Sequence, residues 1–392
     1  NMSYAQPIHS SAVIPSTAPR RSRWLGFGAA VLLGALAGGG LAQAQTIIDF
    51  GGYLGPTGPM YRRVSPNGSN APFALAGGSY FFDVVPFTIQ GSAPVRMETT
   101  FANLFPNNTP VDTFLTLHQG AFIISSPLTN ALEADDDDGD GFLSLITRNL
   151  LAGPEYFLVV STFNPNAAGP YTLRVATPTQ VNLNGAYQGN VTIFGGTLGG
   201  NGTITGQLVN YGTLSPGNSP GKIRVDGSYT QSTTGTLRIE IGGRKDGQFD
   251  LLSVGSKANL DGRLELARLN DFKLRRGDKI TFLTAGGHVQ GKFATVSNQF
   301  ATDTILNPYL NYEKHSVSVE VPTFSEYAAE ADFTPNQRAV AAAVDSTNYD
   351  PKASALTSTL DNTSLQNLPG SFDDLAPEEL TSIFTISTSL AV

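Results

Sequence analysis

From residue 191 to 266 the chain is divided into short runs that alternate apolar and polar residues, at 191–194, 203–205, 222–225, 236–241 and 264–266. Gly, Asn or Asp-Gly turns separate them. Such runs suit strands and are too short for helices, and their alternation commits one face of each to a core. Run starts at 191, 203, 222, 236, 249 and 264 lie 12, 19, 14, 13 and 15 residues apart. So short and loose a period predicts a parallel β-solenoid over residues 182–321, each rung covering the apolar face of the next. Periodicity alone leaves a second β-sandwich open. Composition supports an all-β chain: 42 Gly, 24 Pro and only 14% charged residues exclude a coiled coil, and no glycine period of three marks collagen.

Residues 46–177 read as an N-terminal β-sandwich. Strand-like runs at 80–82, 84–89, 113–117, 156–160 and 171–175 are separated by Gly, Pro and Asn clusters, the spacing of an antiparallel two-layer fold. One stretch is chemically loaded, Asp135-Asp136-Asp137-Asp138-Gly139-Asp140-Gly141. Adjacent carboxylates repel one another and belong in a loop. Asp136, Asp138 and Asp140 alternate ahead of Gly141, as in the first half of a calcium loop, where hard oxygens gather on a sharp turn. The Phe142 carbonyl and Ser144 take the next ligand positions, so the expected calcium set is Asp136, Asp138, Asp140, Phe142 and Ser144. Thr147 stands where a bidentate Glu is usual, and an acidic solvated loop is the alternative.

Two resemblances rest on these residues. The runs 112–117, 127–130, 135–141, 151–160 and 168–173 fall in the order of bacterial pre-peptidase C-terminal domains, which implies a β-sandwich with an accessory binding or stabilising role. The longer acid run departs from that pattern. The stretch 196–204, then Gly212-Thr213-Leu214-Ser215-Pro216-Gly217-Asn218-Ser219-Pro220-Gly221, then 227–231, 237–240 and 249–254 resembles the passenger-associated strand repeat of autotransporters. That resemblance implies a right-handed β-helix at the cell surface or released from it.

The ends of the sequence point to export. Arg20, Arg21 and Arg23, the uncharged run 24–41 and Ala42-Gln43-Ala44 are the three parts of a signal peptide, residues 1–44. Without its three arginines the chain carries 21 basic and 32 acidic residues, which argues against nucleic acid or anionic membrane as a partner. There is no cysteine, so stability must come from burial, ladders or an ion. Residues 322–392 turn helical: Thr334-Pro335-Asn336-Gln337 is a capping box with proline at the first position, and a further helix is expected from Pro377. The blocks 333–343 and 375–380 resemble the junction before an autotransporter's membrane barrel, which implies the outer-membrane assembly machinery as a partner if such a barrel is encoded. Without one, the product is expected to be periplasmic or extracellular.

Catalytic constellations are sparse. Gly217-Asn218-Ser219-Pro220-Gly221 has nucleophile-elbow spacing, but Pro-Gly and a short run follow where the elbow needs a helix. Residues 286–293 carry Phe293 where a phosphate loop needs Ser or Thr. His118, His288 and His315 are isolated, and Glu240 with Asp250 is the least implausible carboxylate pair. The expectation is a non-catalytic, adhesin-like or structural surface passenger that binds a polysaccharide or protein. The alternatives are a binding module on a stalk and a polysaccharide-degrading β-helix enzyme.

Overall fold

The architecture follows from a computed structural model that describes residues 45–65, 73–104, 112–300, 304–323, 326–330, 332–347 and 354–376. The chain is predominantly β. From Val181 onward three strands recur in fixed rotation, the first entering an eleven-stranded sheet, the second a seven-stranded sheet and the third a nine-stranded sheet. The first round is Val181–Leu183, Ala186–Tyr187 and Asn190–Gly195; the fifth is Arg263–Arg268, Lys279–Ala285 and Val289–Gly291. Every strand pairs in parallel with its counterpart one round on. Thr295–Asn298 opens a sixth round.

Strands entering the eleven-stranded sheet start 16, 16, 23, 27 and 32 residues apart. The period read from the sequence was loose because it sampled strands from different sheets. It also missed short members such as Leu208–Asn210 and Tyr229–Gln231.

Parallel register turns alternation into columns. Val181, Leu198, Leu214, Leu237 and Leu264 lie in one continuous column and all are fully buried. Tyr187, Ile204, Val225, Val254 and Ala285 form a second, and Val191, Leu208, Tyr229, Ala258 and Val289 a third. Each buried aliphatic contributes about 1.5–3 kcal/mol. Outward positions are filled by residues such as Thr197, Thr213 and Thr230, which explains the shortage of charge. At one corner Gly200 adopts φ 98°, and a Cβ there would lie 2.3 Å from the Leu183 carbonyl oxygen.

Buried polar groups close another corner. Asn210 donates to the Tyr229 hydroxyl and the Thr236 carbonyl, Tyr229 donates to Gln231, and Gln231 donates to the carbonyls of Gly235, Asp261 and Arg263.

Strands between residues 46 and 177 pair antiparallel in two large sets, with Val64–Ser65 and Ala74–Leu75 as a small separate pair. Neither set is closed off from the rounds. Thr46–Leu54 pairs with Asn190–Gly195, and Tyr80–Ile89 pairs with Val181–Leu183. Two of the three sheets therefore continue across both regions over one shared core. Residues 80–89 form a single strand where the sequence suggested two. Pro86 is tolerated because the facing strands cover only Tyr80, Phe81 and Phe87 to Ile89 on that edge, so its missing N–H costs no ladder bond there. On the far side of this sheet a smaller cluster of Tyr61, Tyr80, Phe82 and Val159 adjoins Arg63, whose guanidinium lies 3.9 Å from the Phe114 ring centroid and 4.8 Å from that of Tyr80.

Three helices follow, α1 (Pro335–Asp345), α2 (Ser354–Asp361) and α3 (Leu368–Leu375). The Thr334–Gln337 capping box starts α1 as its sequence indicates. Tyr327, Phe333, Val344, Leu360, Leu368 and Phe372 give the helices their own apolar cluster. Arg276 ties them to the fifth round through Asp361 at 2.7 Å. The expected signal peptide and the helix expected from Pro377 lie outside the described residues. No described helix is long and apolar enough to cross a membrane.

In urea unfolding, Leu237→Ala is expected to lower stability by about 2–5 kcal/mol, since neighbouring rounds leave the cavity little room to collapse. Gly200→Ala should cost about 2 kcal/mol or more through its left-handed backbone and the carbonyl contact. Outward-facing Thr230→Ala should stay within about 0.5 kcal/mol.

Candidate functional site

One corner of the stack grows while the others do not. Loops leading from the eleven-stranded to the seven-stranded sheet hold 2, 2, 5, 9 and 10 residues in successive rounds, against 2 or 3 at the next corner. Long backbone excursions at a corner carry polar groups that no ladder satisfies, so each loop needs a fastening.

Asp250 supplies the first one. It is fully buried at the end of the nine-residue loop, and accepts from the backbone N–H of Gly221 and of Glu240, both at 2.8 Å. Burial pushes its carboxyl up to about 7, opposed by those two N–H groups; the Glu240 charge adds to the rise and Arg238 reduces it. Ser219, in left-handed backbone, donates its hydroxyl to Glu240, whose carboxylate also meets Arg238 at 3.2 Å. The next fastening is Arg244, which reaches forward to Asp278 at 2.6 Å and the Lys273 carbonyl at 2.8 Å.

Thus Ser219, Glu240 and Asp250, scattered in the sequence, come together. Their hydrogen bonds fasten the corner. Asp250 has no exposed surface to offer a substrate, the Gly221 N–H that could serve an oxyanion is already committed, and the strand Lys222–Val225 follows where an elbow needs a helix. Residues 286–293 likewise spend backbone donors on the ladder, Gly286 to Val254 and Gly287 to Ser256. His118 is buried with Nδ1 3.4 Å from the Thr129 carbonyl, and burial pushes its imidazole down. His315 lies 3.2 Å from the Ala285 carbonyl.

The acidic loop joins Ala131–Asp135 to Leu145–Leu150. Asp135 closes it, accepting from Leu145 N at 2.7 Å and Asp138 N at 3.2 Å. Of the expected calcium ligands, Asp136 is half-buried, Asp138, Asp140 and Phe142 are exposed, and Ser144 is fully buried. Ser144 donates to the Asp136 carbonyl at 3.1 Å and meets the Thr113 hydroxyl at 3.0 Å. The Phe142 carbonyl accepts from Thr113 N. Among the described residues, no group of three or more His, Asp or Glu side chains is arranged to hold a metal.

Spacing did not point to Asp112, which lies far from the loop in sequence but near it in space. Burial, then the charge of Asp136, pushes its carboxyl up to about 6, and Arg63 pulls against that. Asp135 is also raised to about 6 by burial, against its two backbone donors. Burial and the neighbouring Asp137 raise Asp136.

A third feature lies on the outward face of the nine-stranded sheet. Phe194 and Tyr211 stack with centroids 6.0 Å apart and planes 5° from parallel, and the Arg174 guanidinium sits 5.6 Å over Phe194, held by Asp49 at 2.7 Å. Tyr53 and Phe101 are exposed on the same face. Alternation marks Tyr53, Arg174, Phe194 and Tyr211 as outward, a bulge turns Phe101 outward as well, and the register aligns them. No protein-family model matches the chain, and comparison with curated proteins gave no match.

Asp250→Ala leaves two buried N–H groups without an acceptor and should cost about 2–5 kcal/mol in chemical denaturation. Stability should also decline with rising pH. Asp83 and Asp112 (about 6), Asp135 (about 6) and Asp250 (about 7) all sit above the ordinary 3.8. The folded chain therefore binds more protons than the unfolded chain across that window, and the contribution is lost as pH rises through the folded values. Glu320 has the opposite sign: hydrogen bonding to Asn311 helps to lower it to about 2, and its contribution is lost as pH falls below about 4.5. Thermal melts should peak at about pH 4–5, and a maximum at neutral pH would contradict this assignment.

Proposed function

We propose that the chain is an exported, non-catalytic surface passenger of the autotransporter-like class, adhesin-like in function. Residues 46–177 form its β-sandwich and residues 182–321 its right-handed β-solenoid. The observation that carries this reading is the outward face of the nine-stranded sheet, where strands from both regions align Tyr53, Phe101, Arg174, Phe194 and Tyr211. Aromatic rings beside short hydroxyl and amide side chains suit the apolar faces and hydroxyls of sugar rings, and equally a protein ligand's edge. A surface polysaccharide or protein is the proposed ligand.

The acidic loop is proposed to take calcium through Asp136, Asp138 and Asp140, with the Phe142 carbonyl and Ser144 beside them. The support is a set of crowded carboxyls, raised at Asp112, Asp135 and Asp136, that a divalent cation would relieve. The non-catalytic part of the reading is supported by the commitment of Ser219, Glu240 and Asp250 to one another and to the backbone.

Deleting 46–177 would uncover edges in two sheets, so point substitution is the cleaner test. Phe194→Ala with Tyr211→Ala should weaken binding to glycan arrays or host-surface extracts by roughly tenfold, about 1.4 kcal/mol, while the melting temperature is kept. Unchanged binding would move the ligand site elsewhere. Calorimetry should detect calcium binding that Asp138→Ala and Asp140→Ala abolish, and no heat in the unsubstituted chain ends the calcium proposal. Unsaturated products released from acidic polysaccharides would overturn the non-catalytic reading.

A further inference from the structure

The columns of the stack end differently on the three sheets. The seven-stranded sheet is continued beyond Lys279–Ala285 by the antiparallel pair Ser316–Glu320 and Tyr309–Glu313. The last strand of the nine-stranded sheet is met by a turn, Val289 N donating to the Lys314 carbonyl at 2.8 Å. Among the described residues the eleven-stranded sheet ends on Thr295–Asn298, paired on one side only, with Arg263–Arg268. Its inward column is fully buried from Val181 to Leu264, yet the next member, Val296, is 47% exposed. Beside it Phe293, Leu310 and Tyr312 line an open cavity of about 370 Å³. An edge strand with free backbone groups and an uncovered apolar side chain is a template for one more strand.

The opposite end of the same sheet is also an edge. Among the described residues Ala131–Asp135 pairs on one side only, with Thr113–Gln119. Leu132 packs against the shared core, so a strand joined to this edge receives an aliphatic neighbour on its inner face. The two edges carry opposite charge. Lys292 lines the cavity with Val296 and the exposed Arg263 pairs with Thr295, and neither has a carboxylate at ion-pair distance among the described residues, while Glu265 opposite Ser297 is held by Arg238 at 3.6 Å. Glu133 and the acids from Asp135 to Asp140 surround the other edge. Of these only Glu133 has a cation within 4.0 Å among the described residues, Arg148 at 3.0 Å.

We propose that a second copy of this chain docks head to tail on the open end of the eleven-stranded sheet, its strand Ala131–Asp135 pairing beside Thr295–Asn298. Leu132 of the incoming copy then covers Val296, and the sheet runs on from one copy into the next. The contact joins two different surfaces, so it repeats without closing and yields chains of copies. Self-pairing of Thr295–Asn298 across a two-fold axis would set Lys292 and Arg263 against their own kind, which the charges disfavour.

Sedimentation velocity and light scattering on the purified chain over a concentration series test this. The expected result is a mass that rises continuously with concentration and falls when salt is raised, because the opposed charges are screened. Val296→Lys, Lys292→Glu, and the pair Asp137→Lys with Asp138→Lys should each weaken association by roughly tenfold or more. All four positions are exposed, and circular dichroism melts should confirm that the variants fold. Mixing the Lys292→Glu chain with the Asp137→Lys/Asp138→Lys chain should restore chains of alternating copies, since the two unchanged surfaces meet in one junction and the two reversed surfaces are again opposite in charge in the next. A monomer at every concentration overturns the proposal. So does a discrete dimer indifferent to the acid substitutions, which would indicate two-fold self-pairing, or a mixture that fails to associate.

Discussion

Each round of the parallel stack relies on the round before it to roof its apolar columns. A single round buries little by itself: Val181–Leu183, Ala186–Tyr187 and Asn190–Gly195 have too few residues to enclose a core. The first round therefore needs a foundation, and the antiparallel region supplies it on two sheets through Thr46–Leu54 and Tyr80–Ile89. On the third sheet, Tyr187 rests its ring edge-on against Phe50 at 5.1 Å. The Tyr171 hydroxyl lies 3.3 Å from that of Tyr187 and donates to Asp83 at 2.9 Å. The two regions distinguished by sequence texture thus share one core, and loss of packing in either should be felt in both.

Several buried polar groups lie where the ladders stop or the regions meet. Asn210, Tyr229 and Gln231 feed carbonyls at one corner, Asp250 takes N–H groups at another, and Asp83 sits beside the meeting point of the regions. Along a strand the parallel ladder satisfies the backbone, so an apolar column suffices; at a corner it cannot, and a side chain must. Asp250 incurs the desolvation penalty of that service, Asp83, within a strand, incurs one in accepting from the Tyr171 hydroxyl, and burial raises both carboxyls.

Strand identity was legible in the sequence because alternation is local. The runs at 222–225 and 236–241 recur unchanged as Lys222–Val225 and Thr236–Ile241. Which sheet each strand enters was not legible, since that depends on the corner between them, and corners of two and ten residues look equally like loops. The Thr334 capping box could be read because all its bonds are local, whereas α3 has no side-chain cap and owes its order to the packing of Phe372 on Tyr327 and Phe333. At the candidate sites, Asp138 and Asp140 were visible by spacing. Glu240 and Asp250 could be named as a pair, but the approach of Ser219 to Glu240 and of Asp112 to the acidic loop could not, because tertiary approach alone creates them.

The lengthening corner shows how such a chain can vary without losing register. A residue inserted within a strand would move a column member to the outer face, and every later pairing would suffer. A residue inserted at a corner shifts nothing, provided the loop's polar groups find partners. Successive loops meet that condition by fastening forward: Gly221 to Asp250, Arg244 to Asp278, and Arg276 to Asp361 in α2. Each longer loop holds the one before it, and the last is held by the helices. The helical segment therefore has a mechanical part in the stack beyond its own small core, as the terminal anchor of a series that begins at Gly217. Loss of the Arg276–Asp361 pair would release the series from its far end, and the loops nearest that end would loosen first.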